Sequence, residues 1–254
     1  MNTMRSDNQP KLNRKCAVRD KRRNLGRFYG AASALLVFLL LPLGAVAEDG
    51  NLSVSVFGGG SFLKGERNFI IGGDPKRSDF AKGGKFGARG TAQLNSHWAV
   101  EGAYSYGTNN LRIFDIGTPT RERAFGTRIH QVTGNALYYL GGSTSKVRPF
   151  VTAGGGLMRF GPTTAAKTAA TIRFIDEPAT ISADNKFEFN YGGGVEAKAS
   201  DLWGLRFDVR DHLAGIPRFG IPQVPTAGIA DFFPVSGAVH DVEVSAGIVI
   251  YFRR

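Results

Sequence analysis

The sequence predicts an all-β chain, folded as an eight-stranded antiparallel up-and-down transmembrane β-barrel. Three observations predict it. From Val242 to Phe252 every second residue is apolar: Val242, Val244, Ala246, Ile248, Ile250 and Phe252. The residues between them begin polar, with Asp241, Glu243 and Ser245. Period two marks a strand with two unlike faces, and this one has about the length of a tilted strand crossing a bilayer. Seven further stretches can be read as strands of the same kind, and the links between them alternate strictly between short and long. The chain also opens with a basic and then apolar leader.

The leader comes first. Arg5 to Arg27 is strongly basic, residues 31–43 are apolar or small, and Ala45-Val46-Ala47 forms a small-x-small cleavage site before Glu48. This is the layout of a secretory signal peptide, and the apolar part is short for a transmembrane anchor. Residues 1–47 are therefore expected to be a signal peptide and residues 48–254 a single barrel domain. The leader holds nine Lys/Arg and two Asp/Glu, so most of the net charge of +11 belongs to it. What remains gives little support to nucleic-acid binding. The only cysteine, Cys16, also lies in the leader, which excludes disulfides and cysteine-based metal sites from the mature part. No later apolar run is long enough for a membrane helix. A spanning chain of this kind must close as a barrel.

The strands are read, in order, over residues 52–62, 82–94, 97–107, 127–140, 147–160, 186–199, 202–212 and 238–252. Strands two and three are joined by Asn95-Ser96, four and five by residues 141–146, and six and seven by Ser200-Asp201. These are short turns rich in Gly, Ser and Asn. The links 63–81, 108–126, 161–185 and 213–237 are long and are read without regular structure. Strict alternation gathers the long links at one end of a barrel and both termini at the other. The fifth strand shows no clean in/out phase.

The faces divide by composition. Lys85, Arg89, Glu101, Glu188, Glu196, Arg206, Asp208, Arg210 and Glu243 all share the polar phase. Eight strands leave a lumen just wide enough for side chains to fill, and charges of both signs there can pair. The expectation is a plug of ion pairs. The apolar sets face lipid, with Trp98, Tyr104, Tyr106, Phe187, Tyr191, Trp203 and Phe252 as interfacial aromatics. A water-soluble barrel would reverse the two faces, and periodicity alone does not choose between them. The leader, the loop alternation and the charged face favour the membrane.

Little in the sequence suggests chemistry. Glycine triplets stand at residues 58–60, 154–156 and 192–194, but none precedes a Lys-Ser/Thr pair. Glycine there lets a small barrel bend and leaves room beside long inward side chains. His97, His130, His212 and His240 show no metal-ligand spacing, and no His-x-Ser pair follows any of them. No catalytic residue, metal or cofactor is expected. The long links 161–185 and 213–237 are the places for an extracellular ligand, with unligated surface caps as the plain alternative.

With these residues in view the chain resembles the small outer-membrane β-barrel family, the OmpA-like transmembrane domain and its single-domain relatives. The resemblance rests on the leader, the eight strands, the loop alternation, the stretch VRPFVTAGGGLMRF and the terminal VEVSAGIVIYF. It implies location in the bacterial outer membrane after signal-peptide export. It also implies insertion by the outer-membrane assembly machinery, which reads a final strand such as Val244, Ala246, Ile248, Ile250 and Phe252. Arg253-Arg254 after the aromatic depart from that pattern. The implied protein is a monomer in contact with outer-membrane lipid and lipopolysaccharide, with a structural or surface-interaction role and no enzymatic one. A narrow channel for small solutes and a lipid-modifying enzyme are the alternatives.

Overall fold

In the computed structural model of the chain, the described residues are 52–71, 73–116, 121–142, 145–225 and 232–252. The expected leader, residues 48–51, parts of four links and Arg253-Arg254 lie outside them. The strands are β1 Leu52–Lys64, β2 Arg67–Ile71, β3 Asp74–Phe80, β4 Gly83–Gln93 and β5 Trp98–Asp115. They continue with β6 Arg121–Tyr139, β7 Val147–Pro162, β8 Asp184–Lys198, β9 Trp203–Gly215 and β10 Ala238–Phe252. A helix, α1, spans Thr164–Ile172.

Eight of these strands close on themselves. The order is β1-β4-β5-β6-β7-β8-β9-β10, and β1 pairs antiparallel with both β4 and β10. Leu52 stands opposite Phe252 on one side and opposite Ala92 on the other. Closure leaves no edge in the ring, which is what a strand in hydrocarbon requires. Glycine makes the tight curvature possible. A Cβ on Gly194 would collide with the Phe207 carbonyl and sit 2.7 Å from the Phe150 ring.

The alternation is sustained around the ring. On β9, Trp203, Leu205, Phe207 and Val209 point outward while Arg206, Asp208 and Arg210 are buried. β7 also has a clear phase: Arg148, Phe150, Thr152, Met158 and Phe160 are buried, and Val147, Val151 and Leu157 are exposed. The sequence hides this because Gly154, Gly155 and Gly156 interrupt it and apolar residues occupy both faces. The reversed arrangement of a soluble barrel, oil inside and charge outside, is not what the chain adopts.

The long links are not the structureless segments expected. Within 63–81, β2 and β3 form a hairpin that continues the sheet on the upper half of β5, Phe80 opposite Leu111 and Lys76 opposite Asp115. Its composition, RNFII and DPKRSDF, reads as loop because charges and a proline break the alternation. Pro75 near the start of β3 is tolerated where a strand begins. The link 108–126 is mostly strand as well, since β5 runs out to Asp115 and β6 starts at Arg121. Within 161–185 the run TAAKTAATI is a helix, capped by Thr163, whose Oγ1 accepts from the Ala166 N–H at 3.2 Å. Alanine favours the helix, and Ala166 and Ala170, one turn apart, face inward.

These pieces pack into a cap at the loop end with its own apolar core. Strand residues such as Leu63, Leu111, Ile129 and Phe160 share one cluster with the loop residues Phe174, Ile175, Phe219 and Phe233. Phe174 lies 5.1 Å from Phe125 and 5.6 Å from Phe233, ring to ring. Phe219 sits in the left-handed region at φ 56 and is 1% exposed. Burial of its ring offsets a backbone cost of about 1–2 kcal/mol. Polar ties accompany the core. Lys76 Nζ reaches Asp115 at 3.3 Å and Asp176 at 3.0 Å, joining β3, β5 and the segment after α1. Arg123 forks onto Asp115 at 2.7 and 3.0 Å. Burial alone would raise the Asp115 carboxyl, but the Arg123 hydrogen bonds, with the Arg123 and Lys76 charges, hold it below its ordinary value. Truncation of a well-packed ring costs about 3–5 kcal/mol. Phe174→Ala is therefore expected to open the cap to chymotrypsin within residues 161–185 while the barrel stays intact; unchanged resistance would show that the cap does not depend on this core.

Candidate functional site

The inward face of the barrel carries a connected set of charges. Glu101 on β5 takes Arg206 Nη1 at 2.9 Å and Arg210 Nη1 at 2.8 Å. Asp208 on β9 is held by Arg206 Nε at 3.0 Å, Arg210 Nη2 at 2.9 Å and Arg89 Nη1 at 3.2 Å. Arg89 on β4 reaches Glu243 on β10 at 2.6 Å. Glu243 in turn meets Lys85 Nζ at 3.3 Å, and Lys85 meets Asp241 at 2.6 Å. The Ser61 hydroxyl donates to Asp241 at 2.5 Å. The chain of contacts thus runs across β1, β4, β5, β9 and β10, and all its charged members are at most 3% exposed.

Period two explains the convergence. Arg206, Asp208 and Arg210 occupy alternate positions of one strand and so share one face. Register sets the levels, with Arg210 opposite Glu243 and Arg206 opposite Glu196 in the ladder, while the ion pairs themselves reach along the strand to Asp208 and across the lumen to Glu101. Aromatic rings support the guanidinium planes. Arg89 Cζ lies 3.6 Å from the Phe57 centroid and Arg206 Cζ 4.3 Å from Phe150. A Cβ on Gly192 would stand 3.1 Å from Arg210 Cγ, so that glycine gives the arginine its room.

All nine charges singled out in the sequence lie buried, but not all join the chain of ion pairs. Glu196 stands apart and accepts from the Tyr139 and Tyr251 hydroxyls at 3.2 and 3.0 Å. Glu188 meets no lysine or arginine among the described residues; it accepts from Gln131 at 3.1 Å and faces His212 at 3.6 Å. His212 also stands 3.6 Å from Glu243. Asp241, His212, Gln131 and Arg148 complete the set and were not among the residues picked from the sequence. Asp241 and His212 share the phase of Glu243 and Arg210, which is signal enough to find them. Arg148 was hidden by the unclear phase of its strand.

The outward face is banded. Trp98, Trp203 and Phe252 lie at the turn end, each about half exposed at 48%, 46% and 51%. Phe187 lies toward the loop end of β8, and Tyr104, Tyr106 and Tyr191 lie near the middle of their strands. Tyr104 donates or accepts with His130 at 2.9 Å, Tyr106 stacks edge-on to His130 at 5.0 Å, and Tyr191 donates to Asp211 at 3.1 Å. Trp98 and Tyr106 are eight residues apart on β5, or roughly 20 Å of height once tilt is allowed for, close to the apolar band of such barrels. Val244, Ala246, Ile248, Ile250 and Phe252 form an exposed outer stripe on β10.

A closed barrel with an apolar outer band, flanking aromatics and a charged interior defines an integral membrane β-barrel. The chain belongs to the outer membrane protein beta-barrel domain family, whose model matches residues 33–223. Among solved structures it is similar to the outer membrane protein OprG of Pseudomonas aeruginosa, at 14% identity and a TM-score of 0.52, over 80% of this chain and 96% of that one. Neisserial surface protein A aligns at 13% identity and a TM-score of 0.47, over 80% and 97%. Ail of Yersinia pestis aligns at 12% identity and a TM-score of 0.43, over 80% and 99%. At such identity the OprG likeness speaks to the fold alone. No curated protein matches the chain. Family and fold place the protein in the bacterial outer membrane.

Breaking one member of a buried ion pair costs about 3–5 kcal/mol, because a charge is left desolvated. Glu101→Gln strips the carboxylate from Arg206 and Arg210 and is expected to cost that much in urea unfolding followed by Trp98 and Trp203 fluorescence. Adding Arg206→Met should recover part of the loss; no loss in the single variant would mean that the pairing contributes nothing.

Proposed function

We propose that the protein is a monomeric outer-membrane barrel with a structural or surface-presenting role, its lumen closed to solutes. The observation that carries this reading is the buried ion-pair chain from Glu101 to Asp241, set beneath an apolar cap. A charge network satisfied from several strands leaves no continuous water column, and an apolar core above it adds a second barrier. Residues 1–47 act as the export signal, and residues 48–254 form the exported barrel. The outer stripe Val244, Ala246, Ile248, Ile250 and Phe252 is what the assembly machinery reads. The aromatic bands contact outer-membrane lipid and lipopolysaccharide, and any extracellular ligand meets the outer surface of the cap built from 161–185 and 213–237. In planar bilayers the protein is expected to show no steady conductance; sustained open channels would favour the narrow-channel alternative and overturn this reading.

One observation favours a second, enzymatic reading. His240 Nδ1 is 2.8 Å from Asp211 Oδ2 on the outer rim, the orienting half of a base–carboxylate pair. Among the described residues no serine or threonine hydroxyl is hydrogen-bonded to His240. Lipid A from cells overproducing the protein is expected to have the mass of lipid A from cells lacking it; a mass change abolished by His240→Ala would establish the enzymatic role.

A further inference from the structure

At the turn end the lumen widens into an open vestibule of about 800 Å³. Tyr139, Lys146, Arg148, Glu196, Lys198 and Tyr251 line it. Arg148 is unlike the other lumen cations. Lys85, Arg89, Arg206 and Arg210 each have a carboxylate partner within 4 Å. Arg148 has none among the described residues, although it is only 4% exposed. One N–H of its Nη2 donates to the Ser96 carbonyl at 3.2 Å, and its buried Nε has no partner among the described residues. Its guanidinium carbon lies 3.8 Å from the centroid of the Tyr139 ring.

The nearest candidate partner is spoken for. Glu196 faces Arg148 directly in the β7–β8 register. Its two oxygens instead accept from the Tyr139 and Tyr251 hydroxyls, and it makes no ion pair with Arg148. A desolvated cation with unused donors is costly unless something supplies acceptors. Lys146 and Lys198 add positive charge at the same mouth, with Asp201 the acidic residue at its rim. The Tyr251 ring gives it apolar wall. The volume is that of a small-molecule site.

We propose that the turn-end vestibule binds a small carboxylate or phosphate anion through Arg148. The guanidinium offers a planar fork that suits carboxylate and phosphate alike. Tyr139 holds the plane of that fork, and Lys146 at the mouth adds positive charge that draws the anion in. The site goes beyond the role proposed above and depends only on the barrel, so it stands whether or not the lumen conducts.

The test titrates citrate and inorganic pyrophosphate, separately, into the folded protein in detergent micelles, reading heat and the arginine Nε–H resonances. Unboiled gel mobility verifies the fold of each variant. The wild type is expected to bind one probe saturably, with the Arg148 Nε resonance shifting. Arg148→Gln should weaken binding by about tenfold or more, since a charge-assisted pair is lost. Ser53→Trp, which narrows the vestibule and keeps Arg148, should weaken it too. Tighter citrate assigns the site to carboxylates, and tighter pyrophosphate assigns it to phosphates. Absence of saturable binding to the wild type overturns the proposal, as does wild-type affinity in Arg148→Gln. If Arg148→Gln does not fold, wild-type affinity in Ser53→Trp overturns it alone.

Discussion

A strand in hydrocarbon can send its N–H and C=O groups only to another strand, because the lipid offers no partner. Everything else in this molecule follows from meeting that requirement with eight strands. The ring closes where β1 meets β10, thirteen residue pairs long from Leu52–Phe252 to Lys64–His240. A ring of eight is narrow, and its interior is filled by side chains. Because side chains alternate, every apolar residue given to the lipid puts its neighbour into that narrow interior. The polar inner set is thus the complement of the oily outer set, and its charges must settle among themselves.

They do so by sharing. Asp208 serves three arginines and Glu101 two, so no carboxylate in this part of the lumen depends on a single partner. Burying charge costs several kcal/mol per ion even after relaxation, and only good geometry with extra hydrogen bonds offsets it. Rings beneath the guanidinium groups and glycines beside them supply that geometry. Among the described residues the lumen buries five cationic side chains, Lys85, Arg89, Arg148, Arg206 and Arg210. Against them stand six carboxylates, with His212 between Glu188 and Glu243. The balance fails locally at the turn end, where Arg148 meets no carboxylate among the described residues while Glu196 is held by tyrosines. At the loop end the molecule changes strategy and closes with an apolar core in place of ion pairs.

The barrel strands are legible in the sequence because period two survives in them, and β10 is read to the residue. The cap is not legible, for physical reasons. Its strands β2 and β3 are short, charged and supported from one side, so neither alternation nor β-propensity marks them. Helix α1 is Ala/Thr-rich and brief, and its stability comes from packing against β6 rather than from an amphipathic stripe that a sequence would display. Phe174, Phe219 and Phe233 look like exposed binding residues in a loop, and only the fold shows that they find one another. Within the lumen, phase foretells which side chains point inward. It does not foretell who pairs with whom, since that depends on register between strands far apart in the chain.

The central claim is the orientation of the two faces, and single-cysteine spin labelling on β10 tests it most directly. Cys16 is the only native cysteine, so with Cys16 replaced by serine each label reports one position. In native outer membranes, labels at 244, 246, 248 and 250 are expected to be relaxed by lipid-dissolved oxygen. Labels at 245, 247 and 249 should be shielded from it. The opposite phase, or an absence of phase, would contradict a barrel that wears its oil outward and keeps its charges within.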